Sequence, residues 1–251
     1  MALVLVFLLL PIAIVVAVSF TPSAIFDLPT GGLSLRWYAK LWEMEDFWKS
    51  FGISFYVAGI STAISIVLGI SCSIAVVRGR FFGRNAIATF LISPLMLPGL
   101  VFGIALLQGL RAIGIGNALV SLMIAHVVIT LPFVARSVMA SLSLFDFTLI
   151  HAARTLGLSP ARAIWRVMIP NIAPGVLTGA LFAFIASFDN YAISLFLTDV
   201  HTKTLPIQML SYLEEAPDPS VAAISTVLIV MTIAMLIICD RLVGLGRIAN
   251  V

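Results

Sequence analysis

One acid, Asp189, interrupts a stretch of sequence that is otherwise free of charge from residue 167 to residue 198. Small polar side chains recur around it at the spacing of one helix face; they are Ser187, Asn190, Tyr191 and Ser194. A carboxylate in such surroundings attracts a cation and replaces part of its hydration shell. An isolated acid of this kind predicts a ligand site or a solute path. The alternatives are a structural ion pair with another helix, or a helix that ends early and exposes the acid.

Patterns that support catalysis or metal binding are missing from the sequence. Cys72 and Cys239 are isolated thiols without a CxxC or Cys/His spacing, so they predict small packed side chains. There is no GxxxxGK(S/T) loop, no HExxH and no convergent Ser/His/Asp set. Gln108 and His126 are the other polar groups in apolar stretches, and a lone histidine there is more often a packed, hydrogen-bonded residue than a ligand. We therefore expect a non-enzymatic chain with no metal and no cofactor of its own.

The composition predicts an all-α membrane protein. The chain is 61% hydrophobic and 10% charged, with a mean hydropathy of +1.17, and a soluble surface needs more charge than that. Several apolar runs exceed the ~20 helical residues that cross a hydrocarbon core. Unpaired backbone groups are not tolerated in lipid, so these runs must be helices. We predict one transmembrane domain over residues 1–251 with six spans, at about 3–22, 51–77, 86–110, 115–135, 172–197 and 219–239.

Two spans have special features. The first run has no basic residues at its start and stays apolar beyond the length of a signal peptide, so we expect an anchor rather than a cleaved segment. Pro94 and Pro98 lie in the third run and are predicted to bend or break it. Broken helices often mark moving or cavity-lining parts of transporters, although a passive kink is an equal alternative.

The loops predict an orientation. With six spans both termini lie on the same side, together with the segments 78–84 and 136–166. These segments hold only Asp146 and Asp240 as acids, and their basic residues are Arg78, Arg80, Arg84, Arg136, Arg154, Arg162, Arg166, Arg241 and Arg247. The positive-inside bias places this side in the cytoplasm. The arginines at 78–84 are explained by the same bias. A nucleic-acid-binding role is less favoured, because the sequence contains no nucleic-acid recognition module.

A polar insert at 145–170 is predicted to form a cytoplasmic helical elbow between the fourth and fifth spans. Residues 147–156 favour a short helix, and Gly157 fits the left-handed position that ends it. Ser159 and Pro160 suit the start of a second helix over 161–167 that stops ahead of Pro170. The elbow would offer small residues for close approach and apolar anchors for docking: Ala152, Ala153, Leu156 and Trp165. The alternative is an amphipathic linker resting on the membrane.

The insert resembles the EAA signature of permease subunits in binding-protein-dependent type I ABC importers. That signature reads Glu-Ala-Ala, three residues, Gly, and about a dozen residues later an apolar-x-apolar-Pro ending. Ala152, Ala153, Gly157, Ile169 and Pro170 match in register, whereas His151 replaces the glutamate. The resemblance implies a coupling helix seated in an ATP-binding subunit. It further implies two such subunits carrying ATP and Mg, a second homologous permease, a periplasmic solute-binding protein and a bacterial inner membrane.

The stretches SFDNYAISLFL at 187–197 and TLPIQMLSYLEEAPDPSVAAIST at 204–226 are similar to the spermidine/putrescine-permease branch of these importers. A polyamine or similar cation would fit an intramembrane acid. The same branch also serves opines, ferric iron and thiamine, so these solutes stay alternatives. The competing class is a secondary transporter or channel, but no selectivity filter, acid ring or inverted repeat is present.

Overall fold

The computed structural model describes residues 2–215 and 217–243, and within these ranges every regular element is helical. Met1, Ala216 and residues 244–251, which include Arg247 of the predicted basic set, lie outside them. The helices are α1 (Ala2–Val18), α2 (Arg36–Glu43), α3 (Glu45–Arg78), α4 (Arg84–Ile92), α5 (Gly99–Ala112), α6 (Ala118–Ser143), α7 (Thr148–Thr155), α8 (Pro160–Ala163), α9 (Ile169–Phe188), α10 (Ser194–Leu197), α11 (Leu205–Glu215) and α12 (Ser220–Val243). A 3₁₀ turn covers Ser93–Met96, and a π-helical turn covers Ile164–Met168.

The described part of the chain has four helices that are long and apolar enough to cross a membrane. They cover Glu45–Arg78, Ala118–Ser143, Pro160–Phe188 and Ser220–Arg241. A fifth crossing is possible through Arg84–Met96 and Gly99–Ala112, which are bent by 110°. The helix at Leu3–Val18 is apolar but shorter. The all-α membrane class is confirmed, and the count of six crossings stays a prediction.

The bend in the third predicted span lies where the two prolines are. Leu97 is extended, with φ −87° and ψ 139°, because the ring of a following proline disfavours a helical residue before it. Pro98 then occupies the N-cap position of α5, where its missing N–H costs nothing. The predicted break of the third span is confirmed.

The fifth predicted span differs from expectation at both ends. The second elbow helix does not stop ahead of Pro170, because α8, the π turn and α9 form one helix over Pro160–Phe188. The N–H of Ile169 donates to the carbonyl of Ile164, five residues back, and this wider turn accommodates a proline without ending the helix. At the other end, α9 stops at Phe188, not at residue 197.

The described residues form two compact units. One comprises Met1–Ser54 with Val200–Leu236. Within it, the ammonium of Lys40 lies 2.6 Å from Asp218 Oδ2 and donates to the Tyr212 hydroxyl at 3.0 Å. The hydrogen bond to Asp218 is the main cause of a raised Lys40 pKa. Burial alone would raise the pKa of Asp218, but hydrogen bonds from Lys40, Ser220 and Tyr212 lower it.

The other unit comprises Phe55–Asp199 with the described residues from Ile237 to Val243, and α6 is its central helix. Hydroxyls on α3 donate to carbonyls of α6 in a regular ladder: Ser61 to Met123, Ser65 to Val127 and Ser73 to Ala135. The offset is constant, so α3 and α6 run parallel in fixed register. Gly69 completes the row, because a Cβ there would lie 2.8 Å from Val134 Cγ1.

On its other side α6 packs against α9 in the antiparallel direction. The Ser137 hydroxyl donates to the carbonyl of Gly175 at 2.7 Å. A Cβ at Gly179 would lie 2.9 Å from Val134 Cα, so glycine is needed for the two backbones to come this close. Small residues at helix contacts allow such approach in membranes, where packing and hydrogen bonds drive association.

Gly179→Ala is expected to destabilise the protein, because the new methyl group meets backbone atoms of α6 that have no room to move. Overpacking of this kind costs about 1–3 kcal/mol, and thermal unfolding in detergent should occur several degrees lower. Gly59→Ala is the matched control, since it also lies within a long helix but has no atom within 4 Å of the added Cβ. Equal melting temperatures for the two variants would contradict the packing argument.

Candidate functional site

Two helical segments joined by a turn occupy the region of the predicted elbow, and an acid lies just before the first of them. Asp146 accepts hydrogen bonds from the Thr148 hydroxyl at 2.7 Å and from the Thr148 backbone N–H at 2.9 Å. The second of these bonds satisfies one free backbone donor at the start of α7. They also lower the pKa of Asp146, mainly through the Thr148 side chain and then through its backbone. α7 ends at Thr155, as the prediction of a short helix over 147–156 requires.

Gly157 has a φ of +92°, so the predicted left-handed turn is confirmed. The N–H of Gly157 donates to the carbonyl of Arg154 at 3.0 Å, and the N–H of Leu158 donates to that of Ala153 at 3.1 Å. This pair of bonds is the Schellman motif, which satisfies the last carbonyls of a helix. Ser159 follows in the extended N-cap conformation, although its hydroxyl makes no capping bond, and Pro160 opens the next helix.

The inner face of the elbow belongs to the core of its unit. Its buried residues pack with α6 and α9 in one cluster; they are Ile150, Ala153, Ala163 and Met168. Ala153 therefore faces the core and is not available for docking, which corrects one expectation. Ala152 is exposed, as predicted. The difference follows from helical geometry, since adjacent residues on a helix point about 100° apart.

The outer face of the elbow combines apolar anchors with positive charge. Leu156 and Trp165 are 83% and 71% exposed. Between residues 147 and 188 there is no acid. Exposed side chains of the elbow include His151 and the arginines Arg154, Arg162 and Arg166, and Pro170 is exposed as well. An open pocket of about 530 Å³ lies on this face, lined by His151, Arg154, Thr155, Gly157, Leu158, Ser159 and Pro160. A surface of this kind suits a protein partner more than free solvent.

The polar residues around Asp189 do not form one helical stripe. Because α9 ends at Phe188, Asp189 is its C-cap, and residues 189–193 form a turn before α10. We call residues 189–193 the outer turn. Asn190 stabilises it, since its Oδ1 accepts the N–H of Ile193 at 3.0 Å. Asp and Asn compete with helical backbone bonding in this way, so a helix ending at this pair has a local cause.

Four of the five predicted path residues fall into two groups, and the fifth, Asn190, is half-buried. Asp189 and Tyr191 are exposed, and no side-chain partner for the Asp189 carboxylate is found among the described residues. Ser187 and Ser194 are buried, at 3% and 0% exposure, and point to the opposite side. Thus the early end of the helix is observed. Among the described residues, no basic side chain forms an ion pair with Asp189.

His126 joins the two buried serines. Its ring is 1% exposed, with Nδ1 2.7 Å from the Ser187 hydroxyl and Nε2 3.1 Å from the Ser194 hydroxyl. The expectation of a packed, hydrogen-bonded histidine is confirmed. The pairing itself was not predicted: a buried histidine must find partners, but nothing in the residue pattern indicates that they lie 61 and 68 residues later.

Glycines of α5 pack against the outer turn and the start of α10. A Cβ at Gly99 would lie 2.9 Å from the Ala192 Cβ, and one at Gly103 would lie 3.1 Å from the Ile193 Cα. The broken third span therefore supports the turn that carries Asp189. No group of three His, Cys, Asp or Glu side chains able to hold a metal occurs in the described ranges.

Comparison with known proteins defines the class. Residues 65–245 match the family of binding-protein-dependent transport system inner membrane components. The chain is 29% identical over 232 residues to the spermidine/putrescine transport system permease protein PotC of Haemophilus influenzae, which covers 92% of this chain and 90% of that protein. It is 28% identical to the putrescine transport system permease protein PotI of Escherichia coli, over 89% of this chain and 82% of the relative.

A solved structure shares the fold. It is a chain of a bacterial ABC transporter involved in the import of the acidic polysaccharide alginate, with a TM-score of 0.68 and 17% identity over 97% of this chain and 92% of that one. The chain belongs to the family of inner membrane components of binding-protein-dependent transport systems. It is a permease subunit of a binding-protein-dependent ABC importer, and the family is one of transport components rather than enzymes.

Gly157→Val is expected to deform the elbow, because a β-branched residue is strained at a φ of +92°. Space is not the cause, since no atom lies within 4 Å of a Cβ at this position. Gly157→Asn is the matched control, because asparagine tolerates the left-handed region. Protease protection of the purified chain around residues 148–168 should fall for valine and persist for asparagine. Equal protection in both would show that the turn does not require the left-handed conformation.

Proposed function

We propose that this chain forms half of the translocation path of an ATP-driven importer for a polyamine or a similar small cation. Its partners are a second permease, two ATP-binding subunits that carry ATP and Mg, and a periplasmic solute-binding protein. Both termini and the elbow lie in the cytoplasm. The observation that carries the coupling role is the elbow itself, which packs into the core on its inner face and exposes apolar anchors on its outer face.

The outer face of the elbow has the composition of an energetic interface. Burial of an exposed Leu or Trp side chain contributes roughly 1.5–3 kcal/mol, and Trp and Arg dominate the binding energy of many interfaces. Leu156 and Trp165 are exposed on either side of the Gly157 turn, in a segment that also contains three arginines. Arginine side chains bind the carboxylates of a partner protein well. A groove in an ATP-binding subunit that accepts these anchors and carries acidic side chains is the expected partner surface.

His151 replaces the glutamate of the signature within this interface. Its side chain is exposed and lines the pocket beside Arg154. A neutral imidazole forms hydrogen bonds, but it supplies no fixed negative charge near the start of a helix. The partner subunit is therefore expected to depend little on an acid at this position, which is consistent with an outer face that has only basic charge.

The continuous helix over Pro160–Phe188 supports a mechanical link from the elbow to the path. α9 begins in the elbow core and ends at Phe188, directly before Asp189, so movement of the elbow moves the helix that carries the outer turn. At ~1.5 Å per residue, Asp189 lies about 20 Å along this helix from Pro174. This depth corresponds to the outer half of the membrane if the elbow is cytoplasmic.

The choice of a cationic solute rests on Asp189 and on the relatives. Its exposed carboxylate has no protein partner among the described residues, so it is open to an ammonium group. The absence of a basic neighbour there speaks against a structural ion pair. Two relatives, at 29% and 28% identity, are named as permeases for spermidine/putrescine and putrescine. The shared fold alone does not select a cation, because the chain with a TM-score of 0.68 belongs to an importer of an acidic polysaccharide.

Trp165→Ala is expected to weaken binding of the ATP-binding subunit by about tenfold or more, because truncation of a central aromatic anchor typically costs 2 kcal/mol or more. Co-purification with that subunit and ATPase activity of the assembled transporter measure the effect. Phe82→Ala is the control, since Phe82 is likewise an exposed aromatic residue and lies on the same predicted side, outside the elbow. Equal losses in both variants would argue that neither side chain marks the docking surface.

Asp189→Asn is expected to raise the KM for putrescine uptake by about tenfold, because it removes a charge and keeps the size of the side chain. Stability in detergent should stay at the wild-type value, since no ion pair is lost. Asp27→Asn serves as the control, because Asp27 is an exposed acid on the same predicted side. Normal uptake by Asp189→Asn would place this residue outside the path. Lost stability with normal uptake would make it a structural residue.

A further inference from the structure

We infer that His126 is a positioning residue for transport: it holds the outer turn in place through Ser187 and Ser194 and so sets the affinity for the solute. The inference rests on the proposed role of Asp189 in the path. His126 itself does not meet the solute, because its ring is 1% exposed and each ring nitrogen already has a protein partner.

The two serines lie on either side of the outer turn. Ser187 is in the last turn of α9, and Ser194 is the first residue of α10. One imidazole therefore joins the segment before the turn to the segment after it. A neutral imidazole has one donor and one acceptor nitrogen, and a hydroxyl can serve as either, so both hydrogen bonds form at the same time.

The histidine is itself anchored to the rest of its unit. The Thr130 hydroxyl donates to the carbonyl of His126 at 2.7 Å, and Ser65 of α3 lies 2.7 Å from the Thr130 hydroxyl. Hydrogen bonds thus run from α3 through α6 to both sides of the turn. Without them the turn keeps its local bond at Asn190 and its packing against Gly99 and Gly103. Packing limits how far the turn moves, but a directional hydrogen bond also fixes its orientation.

The directions of the side chains explain how the position of the outer turn affects binding of the solute. Ser187 and Ser194 point into the protein, whereas Asp189 and Tyr191, between them in sequence, are exposed. A shift of the segments on either side therefore moves the exposed carboxylate. Binding groups that lose their orientation lose affinity even when every contact group is still present.

The test compares Ser187→Ala and Ser194→Ala with Ser73→Ala in the complete importer. All three serines are buried and hydrogen-bonded, but Ser73 bonds to the backbone of Ala135, away from the turn. We expect Ser187→Ala and Ser194→Ala to raise the KM for putrescine about three- to tenfold with little change in maximal rate. Ser73→Ala should lower thermal stability without changing KM. An unchanged KM in both turn variants overturns the inference.

A double-mutant cycle tests whether the effect passes through the carboxylate. If it does, Ser194→Ala adds little to the KM of Asp189→Asn, because the oriented charge is already gone. Fully additive effects would show that the serine acts independently and would overturn the inference. If Asp189→Asn alone has a normal KM, the proposed role of Asp189 in the path is wrong. That outcome is obtained independently of the KM values of the serine variants.

A labelling experiment needs no solute and therefore separates the two proposals further. Cys72 and Cys239, the two cysteines of the chain, are replaced by alanine, and Tyr191→Cys introduces a thiol in the outer turn. Its reaction rate with a polar maleimide is measured with and without Ser194→Ala, and with Ser73→Ala as the control. A changed rate only with Ser194→Ala supports the inference even if putrescine is not transported. Equal rates in all three backgrounds overturn it.

Discussion

Close contact between helix backbones at α6 is the constraint on which the larger unit depends. Lipid provides no hydrophobic drive for one apolar helix to leave its surroundings and join another, so packing and hydrogen bonds must hold helices together. Gly69 and Gly179 let two neighbours approach α6 from different sides. Serine hydroxyls of α3 then donate to carbonyls of α6 that are brought within reach. The same contacts fix register, because a helix packed on a glycine cannot slide without meeting a larger side chain.

The elbow gains its rigidity from that packing rather than from its own short helices. Isolated helices of fewer than about twelve residues are marginal in water, and α7 is shorter than this. Ile150 and Met168 place the elbow in the same cluster as α6 and α9, so it has little freedom to move alone. The π turn preserves a continuous helix through Pro170. Under the proposed coupling role, this continuity would carry a movement of the elbow to the far end of α9.

At the far end of α9, some polar side chains are buried and hydrogen-bonded, and one acid is exposed. His126, Ser187 and Ser194 satisfy one another in the interior, whereas Asp189 is left exposed without a partner among the described residues. A buried polar group that lacks a partner costs about as much as a lost hydrogen bond, so the buried set has to be complete. An exposed acid carries no such requirement and stays available for a ligand. Because the two kinds of site lie within a few residues of each other, a change in the buried set is expected to move the exposed acid.

The sequence by itself determined the features that depend on composition or on neighbouring residues. Apolar runs established the membrane class, Pro94 and Pro98 located the break in the third span, and Gly157 identified the left-handed end of α7. Tertiary structure decided which side of each element faces the core: Ala153 is buried while Ala152 is not, and Ser187 and Ser194 turn away from Asp189. It also decided that α9 passes through Pro170 and ends at Phe188, against the span predicted from hydropathy. The physical reason is that spacing along the chain describes one helix at a time, whereas burial and the pairing of His126 depend on helices distant in sequence.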